Sequence, residues 1–299
     1  MKLLLDMQGA QSQSRYRGIG RYTLELGRAM ATRPLPGMDL HFALNMQFGE
    51  AADAAISALG PHADTAHRLC YRSLEDVSFV APSNEVRRHA AEAIVAHAFE
   101  QSGADVVWYS SVVEGYHEDV VIPARSLHTA RSVATLYDLI PLHEPDTYLN
   151  HPRLRHWYDT RVKTLMQCDL LLAISEWART DAIDRLGLAP ERVVNIGAGV
   201  DPLFQPPAIP GPLAASLAHA LGVRQPYVLY NGGLDPRKNV PRLIEAFARL
   251  PENVRNRHQL VIVGRTSAEQ MATLSAAVRK AGLPAATVIF TGYVSDEML

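Results

Sequence analysis

Short apolar runs of β type alternate with segments of helical period along nearly the whole chain, and this alternation constrains the fold more than any other feature. Leu3-Leu4-Leu5 is followed by an amphipathic run from Ile19 to Met30 and then by His41-Phe42-Ala43-Leu44, while Val86 to Phe99 precedes Asp105-Val106-Val107-Trp108-Tyr109. The pattern continues through Ser132 to Tyr137, a helix near Leu154 to Met166, Leu170 to Ile174, a helix near Glu176 to Leu186, and Val193 to Ile196. Strands buried on both faces read as continuous apolar runs, so an α/β protein with parallel sheets is expected.

A chain of 299 residues exceeds what a single core usually organises, which favours two domains. Five prolines (Pro202, Pro206, Pro207, Pro210 and Pro212) crowd the segment after Asp201, a density that excludes helix and central strand and fits a stiff connection. The domains are therefore read as 1–205 and 206–299. The second series is shorter: strand Tyr227 to Tyr230, helix Val240 to Leu250, strand Leu260 to Val263, helix Ala268 to Ala281, strand Val288 to Phe290. No fixed-period repeat or low-complexity tract interrupts it.

Lys plus Arg total 29 against 31 Asp plus Glu, a formal charge of −2, so the basic excess that nucleic-acid phosphates demand is missing and no nucleic-acid partner is expected. Two well-separated cysteines, Cys70 and Cys168, give neither a disulfide framework nor a thiolate metal site and fit a reducing cytoplasm. The opening Met1 to Leu5 is cut short by Asp6 and a polar stretch, which reads as a first strand rather than a secretory signal. No run approaches the roughly 20 apolar residues of a membrane span, so membrane contact is expected only as peripheral contact at the inner face of the cell membrane.

Two glycine-bearing segments carry candidate chemistry. Gly18-Ile19-Gly20, between the first strand and the first helix, can bring backbone amides to an anion, or can simply be the tight turn that feeds the helix. A dinucleotide fingerprint would need three spaced glycines directly after the strand and an acidic residue ending the next strand; here that strand runs into Asn45. The second segment, Tyr230-Asn231-Gly232-Gly233-Leu234-Asp235-Pro236-Arg237-Lys238-Asn239, places two cations beside a glycine pair just before a helix. Cations are unfavourable at the positive end of a helix dipole, so their presence there points to a bound anion, with a solvated surface pair as the plain alternative.

This second segment resembles the donor-diphosphate motif of retaining glycosyltransferases of family 4, in which a Gly-Gly turn leads to an Arg-Lys pair. Asp138-Leu139-Ile140-Pro141-Leu142, Ala173-Ile174-Ser175-Glu176, Gly197 to Phe204 and Phe290 to Glu297 are similar, in order, to further segments of that family. Tyr137-Asp138-Leu139-Ile140-Pro141 taken with Gly233 to Asn239 resembles the bacterial O-antigen and exopolysaccharide branch, whose members are often mannosyltransferases. The resemblance implies the GT-B fold, with two Rossmann-like domains of which the second is incomplete. It also implies a nucleoside-diphosphate sugar donor, GDP-mannose being favoured, and a glycan or lipid-linked glycan acceptor.

On this resemblance Gly18, Ile19, Gly20, Ser175, Gly232, Gly233, Arg237 and Lys238 are donor-side residues, and Arg237, Lys238 and Asp138 are the candidate catalytic set. Tyr137 stands where many members place a donor-contacting His, so no His-based role is carried over, and Tyr137 and Glu114 are assigned to the acceptor side. The family's paired glutamates would fall beyond Glu297, so weak or no turnover is expected of the chain itself. Neither an Asp-x-Asp nor a His-Glu-x-x-His motif occurs, so metal-independent transfer without a cofactor is expected.

Several readings stay open. Ser175 precedes Glu176-Trp177-Ala178, which makes it a good helix N-cap, a weightier reading than donor contact. Asp138 can orient sugar hydroxyls or serve a turn, and Glu114 can line the acceptor side or lie in an exposed aromatic-rich loop. His117, His128 and His143 read as surface or packed residues. The competing functions are a nucleotide-sugar 2-epimerase on the same double-Rossmann plan and a non-catalytic nucleotide-binding fragment.

Overall fold

The computed structural model describes residues 1–123, 127–205, 219–224 and 226–299. The chain forms two compact units, Met1–Gly199 and Val200–Leu299. Four of the five prolines read as a connection (Pro206, Pro207, Pro210 and Pro212) lie outside the described residues.

Unit 1 is built on a seven-stranded, all-parallel sheet in the order β3-β2-β1-β4-β5-β6-β7. Its strands are β1 (Lys2–Asp6), β2 (Asp39–Asn45), β3 (Arg68–Tyr71), β4 (Val106–Tyr109), β5 (Arg131–Leu136), β6 (Leu170–Ala173) and β7 (Val193–Asn195). The principal helices are α1 (Gln8–Gln11), α2 (Gly18–Thr32), α3 (Glu50–Leu59), α4 (Glu85–Gln101), α5 (Ile140–His143), α6 (Pro145–Tyr148), α7 (Pro152–Gln167) and α8 (Glu176–Leu186). Alternate residues of β1 face opposite layers: Leu4 packs with Phe99, Val107 and Leu165, and Leu3 and Leu5 pack with Phe42, Leu59 and Trp108. Burying one such side chain contributes about 1.5–3 kcal/mol, which is why the three buried positions before Asp6 are all leucine.

Local chemistry fixes the helix ends. Pro152 stands in the first turn of α7, where a missing N–H costs nothing, and the His151 ring accepts from Arg153 N at 3.2 Å. Gly187, with φ of 65°, ends α8 in the left-handed region.

Unit 2 carries a three-stranded parallel sheet, ordered β10-β9-β8, of β8 (Tyr227–Asn231), β9 (Gln259–Val263) and β10 (Val288–Gly292). Its principal helices are α9 (Val240–Ala248), α10 (Glu252–Arg255) and α11 (Ala268–Lys280), and α11 opens with a Ser267/Gln270 capping box. Its core joins Ile244 and Phe247 of α9 to Leu260 and Ile262 of β9 and Leu274 and Val278 of α11. Among the described residues, no helix is long and apolar enough to cross a membrane.

Candidate active site

In doubly wound sheets ligands settle outside the carboxyl ends of strands, at the point where strand order reverses. In unit 1 that point lies between β1 and β4. The chain leaving β1 does not form the open polar loop its composition suggests. It turns through α1 and a 3-10 turn, Gln13–Tyr16, and buries Gln8, Gln11, Ser12 and Ser14. Polar side chains are buried here because irregular backbone needs partners. The Gln11 carboxamide both donates to Asn45 O and accepts from Asn45 N, each at 3.1 Å, and Gln8 forms the same double pair with Val121 at 2.8 and 3.1 Å.

Gly18, Ile19 and Gly20 occupy the first turn of α2, after Arg17 at the N-cap, rather than a loop ahead of the helix. Their amides are thus those a helix leaves without intrahelical partners. Gly18 is open: a Cβ there meets nothing within 4 Å. Gly20 is a close-approach residue, because a Cβ there would overlap the Arg15 backbone and stand 2.5 Å from Ser14 O. The two glycines therefore do different things, one leaving room outside and one closing the turn.

Beneath this turn lie two buried carboxyl groups. Asp6, fully buried at the end of β1, accepts from Gln8 N and Gln8 Nε2, each at a long 3.3 Å. Burial pushes its carboxyl up to about 7, against the two Gln8 hydrogen bonds and with a smaller push from Glu114. A raised carboxyl favours the fold while protonated, so its contribution is complete below the unfolded value and is lost as pH rises through about 7. Wild-type stability is expected to fall by about 1.4 kcal/mol per pH unit between roughly pH 5 and 6.5 relative to Asp6→Asn. Denaturant melts of both proteins across that window check this, and parallel curves would refute it.

Glu114 corrects the sequence reading of an exposed aromatic-rich loop: it is buried, as are Trp108 and Tyr109 at the end of β4. Its carboxylate accepts from Ser111 Oγ at 3.0 Å and Ser12 Oγ at 3.3 Å, and burial raises its pKa against hydrogen bonds from Ser14, Ser111 and Ser12. Such a group does not itself meet a solvent-borne acceptor.

Tyr137, just past β5, is half-buried; its ring meets Tyr22 edge-on at 5.6 Å and its hydroxyl donates to Ile19 O at 3.4 Å. Tyr22 in turn donates to Gly197 O at 3.0 Å. Tyr137 thus leans on the glycine turn from the β5 side. Asp138 accepts from Ile140 N at 3.1 Å, so it serves a turn, one of the two roles open to it in the sequence. Ser175 is the N-cap of α8, accepting from Ala178 N at 3.1 Å. His117, His128 and His143 are exposed, and His143 lies 2.9 Å from Asp181.

In unit 2 the three strands all run out into glycine: Gly232 follows β8, Gly264 follows β9 and Gly292 closes β10. Gly232 N donates to Val263 O at 3.2 Å and Gly264 N to Gly292 O at 3.0 Å, which ties the strand ends together. Tyr230 Oη donates to Gly233 O at 2.6 Å and holds the glycine pair over the strand. Arg237 and Lys238 sit, both exposed, on a single 3-10 turn, Pro236–Lys238, and Asn239, with φ of 50°, leads from it into α9. Asp235 Oδ1 accepts from Arg237 N at 3.1 Å and lies 3.5 Å from Arg237 Nε. One carboxylate therefore fixes both the turn and one edge of the guanidinium. The sequence reading missed Gly264, although Gly-Arg directly after an apolar run was visible. Among the described residues, no group of three His, Cys, Asp or Glu side chains converges in a way that could hold a metal ion.

Residues 217–299 match the family described as Glycosyl transferases group 1. Over its whole length the chain is 28% identical to the serotype-specific mannosyltransferase WbdA of Escherichia coli, of which it spans 36%. A second relative, O-antigen chain mannosyltransferase B of Escherichia coli, is 28% identical over 56% of the chain and 43% of its own length. The chain thus spans about a third of the length of the first of these relatives and under half of the second. Among solved structures, HepE of Anabaena in complex with UDP and glucose aligns with 99% of this chain and 70% of its own at a TM-score of 0.66 and 18% identity. WaaG, a glycosyltransferase involved in lipopolysaccharide biosynthesis, aligns with 99% of this chain and 71% of its own at a TM-score of 0.59 and 17% identity. At these identities the two structures speak to the fold alone, and the fold is GT-B, as expected.

Proposed function

Since residues 217–299 carry a glycosyl transferases group 1 domain and the whole chain is related to O-antigen mannosyltransferases, we propose that the protein transfers mannose from GDP-mannose to a surface-polysaccharide or lipid-linked glycan acceptor, with retention at the anomeric carbon. The observation that carries the reading is the Gly232–Lys238 segment: a fixed glycine pair followed by two exposed cations on one turn, with Asp235 orienting the first.

In the reaction the bond between the sugar's C1 and the diphosphate oxygen breaks and a bond from C1 to the acceptor oxygen forms. The acceptor proton passes to the departing phosphate. Negative charge grows on the diphosphate as its bond lengthens, and Arg237 and Lys238 stabilise it, acting where charge develops rather than where it already stands. In unit 1 the first-turn amides of Gly18, Ile19 and Gly20 offer a further anion-binding end, and Tyr137 borders that turn from β5. No divalent ion is required by this scheme. Acceptor delivery brings the protein to the inner face of the cell membrane as a peripheral visitor.

Calorimetry on this chain tests the proposal. GDP and GDP-mannose are expected to bind, and to bind equally with chelator present. Binding of UDP-glucose in preference to GDP-mannose would overturn the choice of donor; no binding of any nucleotide sugar would overturn the function; loss of binding in chelator would overturn the metal-free scheme.

A further inference from the structure

We propose that Glu114 is a positioning residue: from the chain leaving β4 it clamps the segment that closes the first turn of α2, and so fixes where the Gly18–Gly20 amides stand. The link to phosphate binding rests on the function proposed above; the clamp itself rests on geometry alone.

The clamp can be followed atom by atom. Ser12 Oγ accepts from Ser14 N at 3.2 Å, which leaves the hydroxyl proton to be donated to Glu114 Oε2 at 3.3 Å. Ser14 O accepts from Arg17 N at 2.9 Å, and Arg17 O accepts from Arg21 N at 3.2 Å, the first hydrogen bond of α2. Ser14 O and the Arg15 backbone lie against Gly20 so closely that no side chain fits between them. Displacement of Ser12 therefore passes through two hydrogen bonds and a backbone contact to the turn that bears the glycines. The second carboxylate oxygen, Oε1, accepts from Ser111 Oγ at 3.0 Å and ties the same group to the chain leaving β4.

Glu114 cannot yield, because its own backbone is held from the other side. Its carbonyl accepts from Trp157 Nε1 at 3.2 Å and from Arg161 Nε at 3.0 Å, both on α7 and both buried. A carboxylate that receives only hydroxyl protons in a buried setting is costly, and the charge of the buried Arg161 nearby offsets only part of that cost. Those hydroxyls belong to the segment that closes α2 and to the strand end beside it, so what the cost achieves is a fixed register across the β1–β4 switch point.

Hydrogen–deuterium exchange and GDP calorimetry on Glu114→Ala, Glu114→Gln and Ser12→Ala of this chain test the clamp. Each lost buried hydrogen bond is worth about tenfold. Glu114→Ala is expected to speed exchange of the amides of residues 12–22 by about tenfold or more and to weaken GDP by a similar factor, with β1 and β4 amides unchanged. Glu114→Gln, which still offers an acceptor oxygen, is expected to restore both to within about threefold of wild type. Unchanged exchange over residues 12–22 in Glu114→Ala, or equal acceleration throughout unit 1, would overturn the proposal. If Glu114→Ala does not fold, Ser12→Ala decides the same question: it removes the hydroxyl that donates to Glu114 and accepts from Ser14 N, it is expected to loosen residues 12–22 alone, and unchanged exchange there would overturn the clamp. If the wild-type chain binds no GDP, the function proposed above fails, and the exchange arm still decides the clamp.

Discussion

Arg237→Ala is expected to weaken GDP binding to this chain by about 10- to 100-fold while leaving its unfolding unchanged. A charge-assisted hydrogen bond is worth about 1.5–3 kcal/mol, and each 1.4 kcal/mol is tenfold in affinity. The side chain is exposed and lies beside Asp235 on its own turn, outside the apolar core of unit 2, so its removal opens no cavity there. Arg237→Lys keeps the charge but loses the planar fork that engages two oxygens at once, and an intermediate loss is expected. Lys238→Ala acts in the same direction with a smaller loss, because an ammonium is a point charge. Calorimetry at low and moderate salt reads all three variants. Affinities equal to wild type for both Arg237→Ala and Lys238→Ala would remove the phosphate role from this segment.

The second large effect is on stability. Gly264→Ala is expected to destabilise unit 2 by about 2–4 kcal/mol, the sum of a strained backbone and a forced displacement. Gly264 has φ of 154°, where a side chain is disfavoured, and a Cβ there would overlap the Gly232 carbonyl oxygen. Gly232 must then move off β9, breaking its 3.2 Å hydrogen bond to Val263 and dragging the glycine pair with it. GDP affinity should fall with stability. Gly233→Ala is the control: a Cβ there meets nothing within 4 Å and φ is ordinary, so its stability should stay within about 0.5 kcal/mol of wild type. Denaturant unfolding compares the two, and equal stabilities would show that the strand ends relax freely.

Much of this architecture is legible in the sequence. The helices Glu176–Leu186 and Ala268–Lys280 and the three strands of unit 2 stand where period and apolar runs place them. What escaped has physical reasons. Strand Arg68–Tyr71 is a sheet edge with only Tyr71 buried, so it lacks an apolar run, and helix Glu50–Leu59 packs on alanines, which give a weak period. The buried polar layer was invisible for a different reason. Gln8, Gln11, Ser12 and Glu114 are residue types that usually face water, and only three-dimensional proximity to Asn45, Val121 and Ser111 reveals why they do not. The turn role of Asp138 and the capping role of Ser175 were readable because each depends on neighbours two or three residues away. Gly264 depends on Gly232, which is distant in sequence, and short-range patterns carry no trace of that.

Every strand in each sheet runs the same way, so within a unit all the carboxyl ends open at one margin while the apolar layers lie behind it. Along that margin the open positions, Gly18 and Gly233 among them, can change without disturbing what holds the unit together, whereas Gly20 and Gly264, which press on neighbouring backbone, cannot. A lineage of such proteins can therefore explore new ligands by drift in a few connecting segments, and a designer seeking altered selectivity should randomise the open positions of those segments and leave the strands untouched.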